Sequence, residues 1–487
     1  MSQQRDYKNS FESRQRAALS ALVLLVALVL SCLGAAVAVS KALKGTEMNM
    51  AQAQIGSMIY VAVAYILFAV YMAVYQRDTF DGAKLMTMVC IQLALMPWMQ
   101  VLGNMLEPHV TPMVMAALLI AELVNHKTAL AAGVLLGLES AVLAGGKEGI
   151  FTTAAAVMMA ANIASCAASV FALKRINTRG GMIAASGIGG AAGAAVTAAI
   201  GAAVTAAIYI ALGATVREIL TYAGCVLFSA LFSGLFVTGS LTIWEELFDI
   251  ATPARLNELL NTGNPLLKQL MYDAPGTYQH CMNVAALAEG AAEKIGANAL
   301  LAKVGAAYHD VGKLRRPQYF KENQQAENIH DTLSPQESAS IIIAHQKDGA
   351  TILAKNKLPG AVVRIAAEHH GNSMMTYFYR KATEIDPNVN PKGFRYPGNK
   401  PSTREGAIVM LADCCEAAVR SLGDCTREAR EAMVHKIIWS KLTDGENQLS
   451  EVPLTLADIS SIEKSFLRTF GGLMHDRIEY PEEAKKE

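Results

Sequence analysis

The sequence has no excess of charge of either sign: its 487 residues hold 42 Lys and Arg against 42 Asp and Glu. Nucleic-acid binders usually show a basic excess, so no nucleic acid polymer is expected as a partner. Charge of any sign is scarce, at 17% of residues where an ordinary soluble domain has about 25%. Paired cysteines are lacking too. The 8 Cys form no Cys-x-x-Cys and follow no regular spacing. That excludes a disulfide scaffold and argues against a structural zinc site. They read as small buried hydrophobes in a reducing compartment. Apolar residues, by contrast, make up 52% of the chain, and mean hydropathy is +0.28. Disorder and a collagen-like chain are thereby excluded. At about 150 residues per domain the length allows roughly three domains, or fewer if one is a membrane bundle.

The average hides a division. Residues 1–244 hold 14 Lys and Arg with 10 Asp and Glu, whereas residues 245–487 hold 28 and 32. The first part is membrane-like and the second reads as an ordinary soluble protein. A spanning helix needs about 20 apolar residues. Eight stretches are candidates: 17–40, 53–76, 84–104, 110–125, 128–145, 151–173, 181–213 and 219–243. The fourth and fifth are short, and only His126 and Lys127 divide them. The first is too long for a signal peptide and lacks a small-residue cleavage site, so it reads as a retained anchor. With eight spans, loop Lys and Arg divide ten to four in favour of the side that holds the N-terminus. By the positive-inside rule that side is cytoplasmic, and an even number of spans brings residues 245–487 to it. The expected organisation is a transmembrane helical domain at 1–244 with the lipid bilayer as partner, a linker helix at 245–264, a soluble domain at 265–475 and a charged tail at 476–487.

Two features mark the membrane part. Candidate 181–213 is rich in small residues, among them Gly187, Gly189, Gly190, Gly193 and Gly201. Small residues let helices approach closely in lipid, which serves packing within the chain or, as the alternative, a homodimer. Glu139 lies inside a span. An intramembrane acid is a site candidate by default, and burial against a neighbouring helix is the plainer reading.

The soluble part shows no convincing strand alternation. Its pattern is helical over 265–272, 276–294, 297–310, 334–347, 348–356, 359–370, 403–420, 426–441 and 455–473. Ser334-Pro335-Gln336-Glu337 reads as a capping box with Pro at the first helical position. Gly312 fits a helix stop. Segment 380–402, with Pro387, Pro391, Pro397 and Pro401, reads as a long surface loop. The fold class expected is all-α throughout.

Eight of the 10 His lie in this part: His280, His309, His330, His345, His369, His370, His435 and His475. A lone histidine on a helix is usually structural, and His435 and His475 are read that way. The array is different. His280, His309, His345, His369 and His370 each fall in or at the end of an apolar helix, where an unpaired imidazole is costly. Asp310 follows His309, and Asp413 sits in the apolar run Ile408–Ala412, where an ionised carboxylate needs a partner. Five imidazoles and two carboxylates suit two divalent metal ions. Nitrogen and oxygen donors favour Fe, Mn or Zn, with Fe or Mn expected here.

The strings around these residues narrow the reading. They are Pro275-Gly276-Thr277-Tyr278-Gln279-His280, His309-Asp310-Val311-Gly312-Lys313, Glu322-Asn323-Gln324, His330-Asp331-Thr332-Leu333-Ser334-Pro335, His369-His370-Gly371, Phe394-Arg395-Tyr396-Pro397-Gly398 and Leu411-Ala412-Asp413. Together with a multi-span N-terminal part they resemble the membrane-bound seven-transmembrane HD family, the PgpH-type cyclic-di-AMP phosphodiesterases, over residues 55–475. The resemblance implies an HD-type metal phosphohydrolase domain that converts cyclic di-AMP to linear pApA through a hydroxide activated by two metals. It implies that Asp310 bridges the ions, that His280, His309 and Asp413 complete one site, and that His345, His369 and His370 complete the other. Two departures stand out. Only residues 41–52 separate the first two spans, where the family usually carries a large extracytoplasmic domain, and Ile329 stands where a Pro is expected before His330.

Other residues are candidates of a second rank. Lys313 is placed to offset charge on phosphate oxygens; its plainer reading is a solvated helix-end cation. Arg420, two turns after Asp413, is a candidate phosphate contact or an exposed ion pair, and Glu416 on that face is expected to stand behind the ligands. His330 with Asp331 is a candidate substrate contact or support. Tyr377, Phe378 and Tyr379 offer adenine stacking, although such a run is more often core. The competing functions are an HD phosphohydrolase for cyclic di-GMP, a deoxynucleoside triphosphate or guanosine tetraphosphate, and a membrane receptor or transporter whose HD domain is regulatory. The segment His370-Gly371-Asn372-Ser373 lacks the GYP string typical of the cyclic di-GMP class.

Overall fold

The computed structural model describes residues 2–43, 49–103, 110–144, 153–173, 215–324, 328–423, 425–443 and 447–473. Its contacts divide the chain into two compact units, Met1–Ala254 and Arg255–Glu487. Among the described residues both are helical, and the one β-like feature is an isolated bridge between Met374 and Arg395.

The first unit contains α1 (Ser2–Ala42), α2 (Met50–Tyr75), α3 (Arg77–Asp81), α4 (Ala83–Gly103), α5 (Met113–Leu123), α6 (His126–Ala144), α7 (Thr153–Leu173) and α8 (Val216–Leu247). Five helices among the described residues are long and apolar enough to cross a membrane: Gln15–Lys41, Met50–Tyr75, Ala83–Leu102, His126–Leu143 and Leu227–Leu247. The stretches expected at 110–125 and 151–173 contain shorter apolar helices, Met113–Leu123 and Met158–Leu173. The small-residue stretch 181–213 lies outside the described residues.

Burial in this unit suits lipid as the solvent. Large apolar side chains such as Leu22, Ile66, Leu67, Val70, Phe228 and Leu235 are exposed, while Ser31, Gln92, Ser140 and Asn162 are buried inside. In water an exposed apolar surface of this kind would be anomalous. In a bilayer, which offers no hydrophobic drive between helices, packing and interhelical hydrogen bonds hold them together. Ser31 on α1 and Tyr65 on α2 make one such bond at 2.8 Å, and Thr111 donates to Asn162 on α7 at 2.7 Å. Glu139 is 1% exposed on α6, consistent with the plainer of its two readings.

The second unit begins within α9 (Pro253–Leu259) and continues through α10 (Pro265–Asp273), α11 (Pro275–Ile295), α12 (Ala299–Tyr308), α13 (Pro335–Lys355), α14 (Gly360–Glu368), α15 (Thr376–Ile385), α16 (Arg404–Ser421), α17 (Arg427–Thr443) and α18 (Leu456–Leu473). Helix α11 packs against α10, α12, α16 and α18. Helix α16 buries an unbroken run from Gly406 to Asp413, which is why its sequence is apolar on every face. Side-chain caps fix the helix starts: Asn264 accepts from the Leu266 amide, Thr403 from the Gly406 amide, and Ser334 with Glu337 forms the capping box expected.

Four local expectations need correction. Residues 335–355 form one helix rather than two. Residues 376–385 are a helix that was not expected. Segment 380–402 is only partly a surface loop, because Phe394 is 1% exposed and packs with Ala339, Phe378 and Ala382. Gly312 is likewise no helix stop. It lies in a 3-10 turn over Val311–Arg315 that presses on α13, and a methyl group there would collide with the His345 carbonyl and come within 2.6 Å of the Gly349 nitrogen. Glycine at 312 lets the backbone after Asp310 lie against the helix that carries His345.

Candidate metal centre

The histidines that sequence spacing scattered over 90 residues meet at helix ends and one helix interior. His309 and His369 are the residues that terminate α12 and α14, His345 lies inside α13, His280 lies one turn into α11, and Asp413 lies mid-way along α16. His309 and His369 are fully buried, and His280, Asp310, His345 and Asp413 nearly so. His370 is partly open, with its side chain 21% exposed.

Ring orientation follows from the backbone. His309 Nδ1 lies 2.7 Å from the Ala306 carbonyl and His369 Nδ1 lies 2.7 Å from the Ala366 carbonyl; His345 Nδ1 meets the Ile342 carbonyl in the same way. A carbonyl only accepts, so each Nδ1 carries the proton and donates it. The Nε2 lone pair of each ring is then free and turned toward the cluster, which is the tautomer a metal ligand needs. His280 is oriented differently. Its Nδ1 donates to Glu416 Oε2 at 2.6 Å, and Asn283 donates to the other Glu416 oxygen at 3.2 Å.

Asp310 divides its two oxygens between two sides. Oδ2 lies 3.3 Å from His309 Nε2 and 3.6 Å from His280 Nε2, while Oδ1 lies 3.2 Å from His345 Nε2 and 3.7 Å from His369 Nε2. Asp413 Oδ1 lies 3.1 Å from His280 Nε2, and its Oδ2 lies 3.7 Å from His370 Nδ1. Three sets of donor atoms fall within 4.8 Å of one another: Asp310 with His345, His369 and His370; His280, His309 and Asp310; and His309, His369 and Asp413. The third set crosses the division drawn by the first two. His309 Nε2 and Asp310 Oδ1 are buried without a hydrogen bond, which is costly unless a cation sits between such atoms.

The electrostatics agree. Burial opposes the charged carboxylate of Asp310, yet the Lys313 ammonium and His309 hold it well below the usual carboxylate range. Burial likewise opposes charge on His280, but Asp413 and Glu416 push it up to about 9. A cluster that draws protons onto an imidazole has negative potential to spare, and a divalent cation displaces those protons. An all nitrogen-and-oxygen donor set with buried acids fits a divalent ion.

A family model described as an HD domain matches residues 277–418, and one described as a 7TM receptor with intracellular HD hydrolase matches residues 51–252. The chain belongs to this seven-transmembrane HD hydrolase family. It is a multi-pass membrane protein. Over 259 residues, 53% of this chain, it is 47% identical to the cyclic-di-AMP phosphodiesterase PgpH of Bacillus subtilis. Over 265 residues, 54% of this chain, it is 44% identical to the protein of the same name from Listeria monocytogenes. These matches cover 36% of each relative, so the chain spans about a third of the length of the curated relatives it matches. A crystal structure of the Listeria monocytogenes PgpH HD domain in complex with cyclic-di-AMP is 46% identical, covering 45% of this chain and 100% of that one with a TM-score of 0.42.

Within this HD hydrolase unit the remaining candidates fall in different places. Lys313 is held between Asp310 Oδ2 and Glu322 Oε1, at 2.7 Å from each, with its ammonium 5.0 Å from the centre of the Phe320 ring. Glu322 has no role assigned to it by sequence; Thr277 donates to it at 3.1 Å, which ties the start of α11 to Lys313. His330 accepts no place in the donor sets: its Nε2 donates to the Tyr319 carbonyl at 2.7 Å and its ring packs on Phe378. Arg420 is half-exposed and lies 3.7 Å from Glu416. Phe378 is core, Tyr377 is exposed, and Tyr379 packs against Phe394. His435 is exposed beside Glu463 at 3.0 Å, and His475 lies outside the described residues. Sequence spacing missed Tyr396, whose ring lies 4.3 Å from that of His370 at the open side of the cluster.

Glu416 bonds His280 and belongs to none of the donor sets, so it positions the ring. Glu416→Ala is expected to weaken divalent-ion binding by about 10- to 100-fold, read by metal titration of the full-length protein. Unchanged affinity would remove the positioning role.

Proposed function

We propose that the protein is a metal-dependent phosphodiesterase that hydrolyses cyclic di-AMP to linear pApA, with two divalent ions, iron or manganese, held by the histidine–aspartate cluster. The observation that carries this reading is the division of the Asp310 oxygens, one toward His280 and His309 and the other toward His345 and His369. In it His280, His309 and Asp413 would hold one ion, His345, His369 and His370 would hold the other, and Asp310 would serve both. Two ions held there would supply a water activated near neutral pH and a clamp on phosphate oxygens. The names of the relatives, at 47% and 44% identity, supply the substrate.

The chain's own groups do the rest. The carbonyls of Ala306, Ile342 and Ala366 keep three imidazoles in the tautomer that leaves Nε2 free. Lys313 fixes Asp310 and places a cation beside it, where developing charge on a phosphate oxygen is stabilised. His370 and Tyr396 mark the side from which a ligand reaches the cluster. His330 and Arg420 stay as candidate substrate contacts at its periphery. Incubating the full-length protein with Mn²⁺ and cyclic di-AMP should yield pApA, and no product at full metal loading would sink the activity.

We infer that the N-terminus and residues 245–487 share the cytoplasmic side, a reading supported by the ten-to-four bias of Lys and Arg. Reporter fusions at positions 45 and 480 should then report opposite sides of the membrane. The same side for both would refute an even number of spans.

A further inference from the structure

Helices α17 and α18 pack on one another and leave between them a groove of about 480 Å³. Its walls carry Arg427, Arg430 and Glu431 from α17, and Lys464 and Arg468 from α18. Positions 427, 430 and 431 share one helix face, as do 464 and 468, so the two charged faces look at each other. Among the described residues Glu431 is the one acid lining the groove, and it is engaged by Arg427 at 2.8 Å. Of the acids beside the groove, Glu428 is held at the helix start by Thr426, and Glu463 pairs with His435 at 3.0 Å. Arg430, Lys464 and Arg468 have no acidic partner among the described residues, and Arg430 Nε is buried without a hydrogen bond.

Three uncompensated cations around one hollow repel one another. A buried guanidinium nitrogen left without an acceptor is a further cost. Both costs vanish when an anion with several acceptor oxygens lies in the groove. Guanidinium and ammonium groups together are the donors that phosphate takes. The volume falls in the range of small-molecule sites, about 300–1,000 Å³, and a concave slot suits a compact ligand better than a flat plane of lipid headgroups. We propose that the α17–α18 groove is an anion site, separate from the metal cluster, which binds a small soluble ligand whose phosphate groups carry two or more negative charges. None of its lining residues belongs to the histidine–aspartate donor sets.

The test uses the full-length protein in detergent micelles, freed of divalent ions with EDTA, and titrated calorimetrically with inorganic pyrophosphate at low salt. One site is expected. Its affinity should fall about tenfold or more in Arg430→Glu and in Lys464→Glu, persist in Lys464→Arg, and be unaffected by Asp310→Ala. Unchanged binding in both charge-reversed variants, or loss of binding in Asp310→Ala, would overturn the proposal. So would binding that appears only after residues 474–487 are removed, because the acids of that segment would then be the occupant. Capture of phosphatidylglycerol vesicles through these residues, with no affinity for pyrophosphate, would also overturn it.

Discussion

Asp310→Ala should strip the full-length protein of both proposed metal ions, whereas His345→Ala should chiefly empty one. The reason is the distribution of oxygens. Each histidine offers one Nε2 or Nδ1 to one side of the cluster, but Asp310 presents Oδ2 to His280 and His309 and Oδ1 to His345 and His369. Removing it deletes a ligand from both sides and deletes the carboxylate that balances like charges brought close together. It also leaves Lys313 with Glu322 as its remaining acidic contact, 2.7 Å away. An ammonium freed from Asp310 at the edge of the cluster would repel an incoming cation. His345→Ala leaves Asp310, Asp413, His280 and His309 in place, so one side keeps its donors. Elemental analysis of the purified variants decides between these outcomes, with melting temperature as the control for folding. Normal metal content in Asp310→Ala would remove the bridging role and with it the division of ligands drawn here.

The helical class and the donor residues were legible in the sequence because each carries a local cost. An imidazole or carboxylate in an apolar helix needs a partner wherever the chain goes, so His280, His309, His345, His369 and Asp413 announce themselves without any knowledge of the fold. What spacing does not contain is direction. The tautomer of His309 and His369 depends on carbonyls of Ala306 and Ala366, three residues back in their own helices, and the orientation of His280 depends on Glu416, 136 residues away. The errors have a shared cause in tertiary contact. Helix α15 has no side-chain cap and gains its hold from Phe378 and Ala382 packing on Phe394, so local pattern underrated it. The helix expected to break between 347 and 348 runs on through Gly349, where a methyl group would stand 3.3 Å from the Gly312 nitrogen; the residue is small because another backbone passes close by. Tyr396 lies in a Pro- and Gly-rich stretch that reads as solvent-exposed, yet it is buried with its ring 4.3 Å from that of His370. Glu322 was visible as part of a string, but its role with Lys313 is a matter of geometry alone.

Cyclic di-AMP should be cleaved faster than cyclic di-GMP, by about a hundredfold or more, with pApA as the first product. The two substrates share the phosphodiester ring, so the metal cluster and Lys313 meet the same groups in either. Discrimination has to come from the bases. Adenine presents an N6 donor where guanine presents an O6 acceptor, and guanine adds an N2 donor. A pocket that satisfies one pattern leaves a buried group unpaired when the other enters, at about 1–3 kcal/mol for each missed hydrogen bond. With two bases in each molecule, even the lower end of that range compounds to more than a factor of ten. The direction of the preference rests on the relatives named cyclic-di-AMP phosphodiesterase at 47% and 44% identity and on the absence of a GYP string after His369-His370. The measurement is side-by-side turnover of the two dinucleotides by one preparation at equal metal loading, with products identified by mass. Faster cyclic di-GMP cleavage, or equal rates, would overturn the substrate and leave the histidine–aspartate centre as a phosphodiesterase of another specificity. A loss of both activities in Asp310→Ala, with the preference unchanged in Glu416→Ala, would place the discrimination outside the metal cluster.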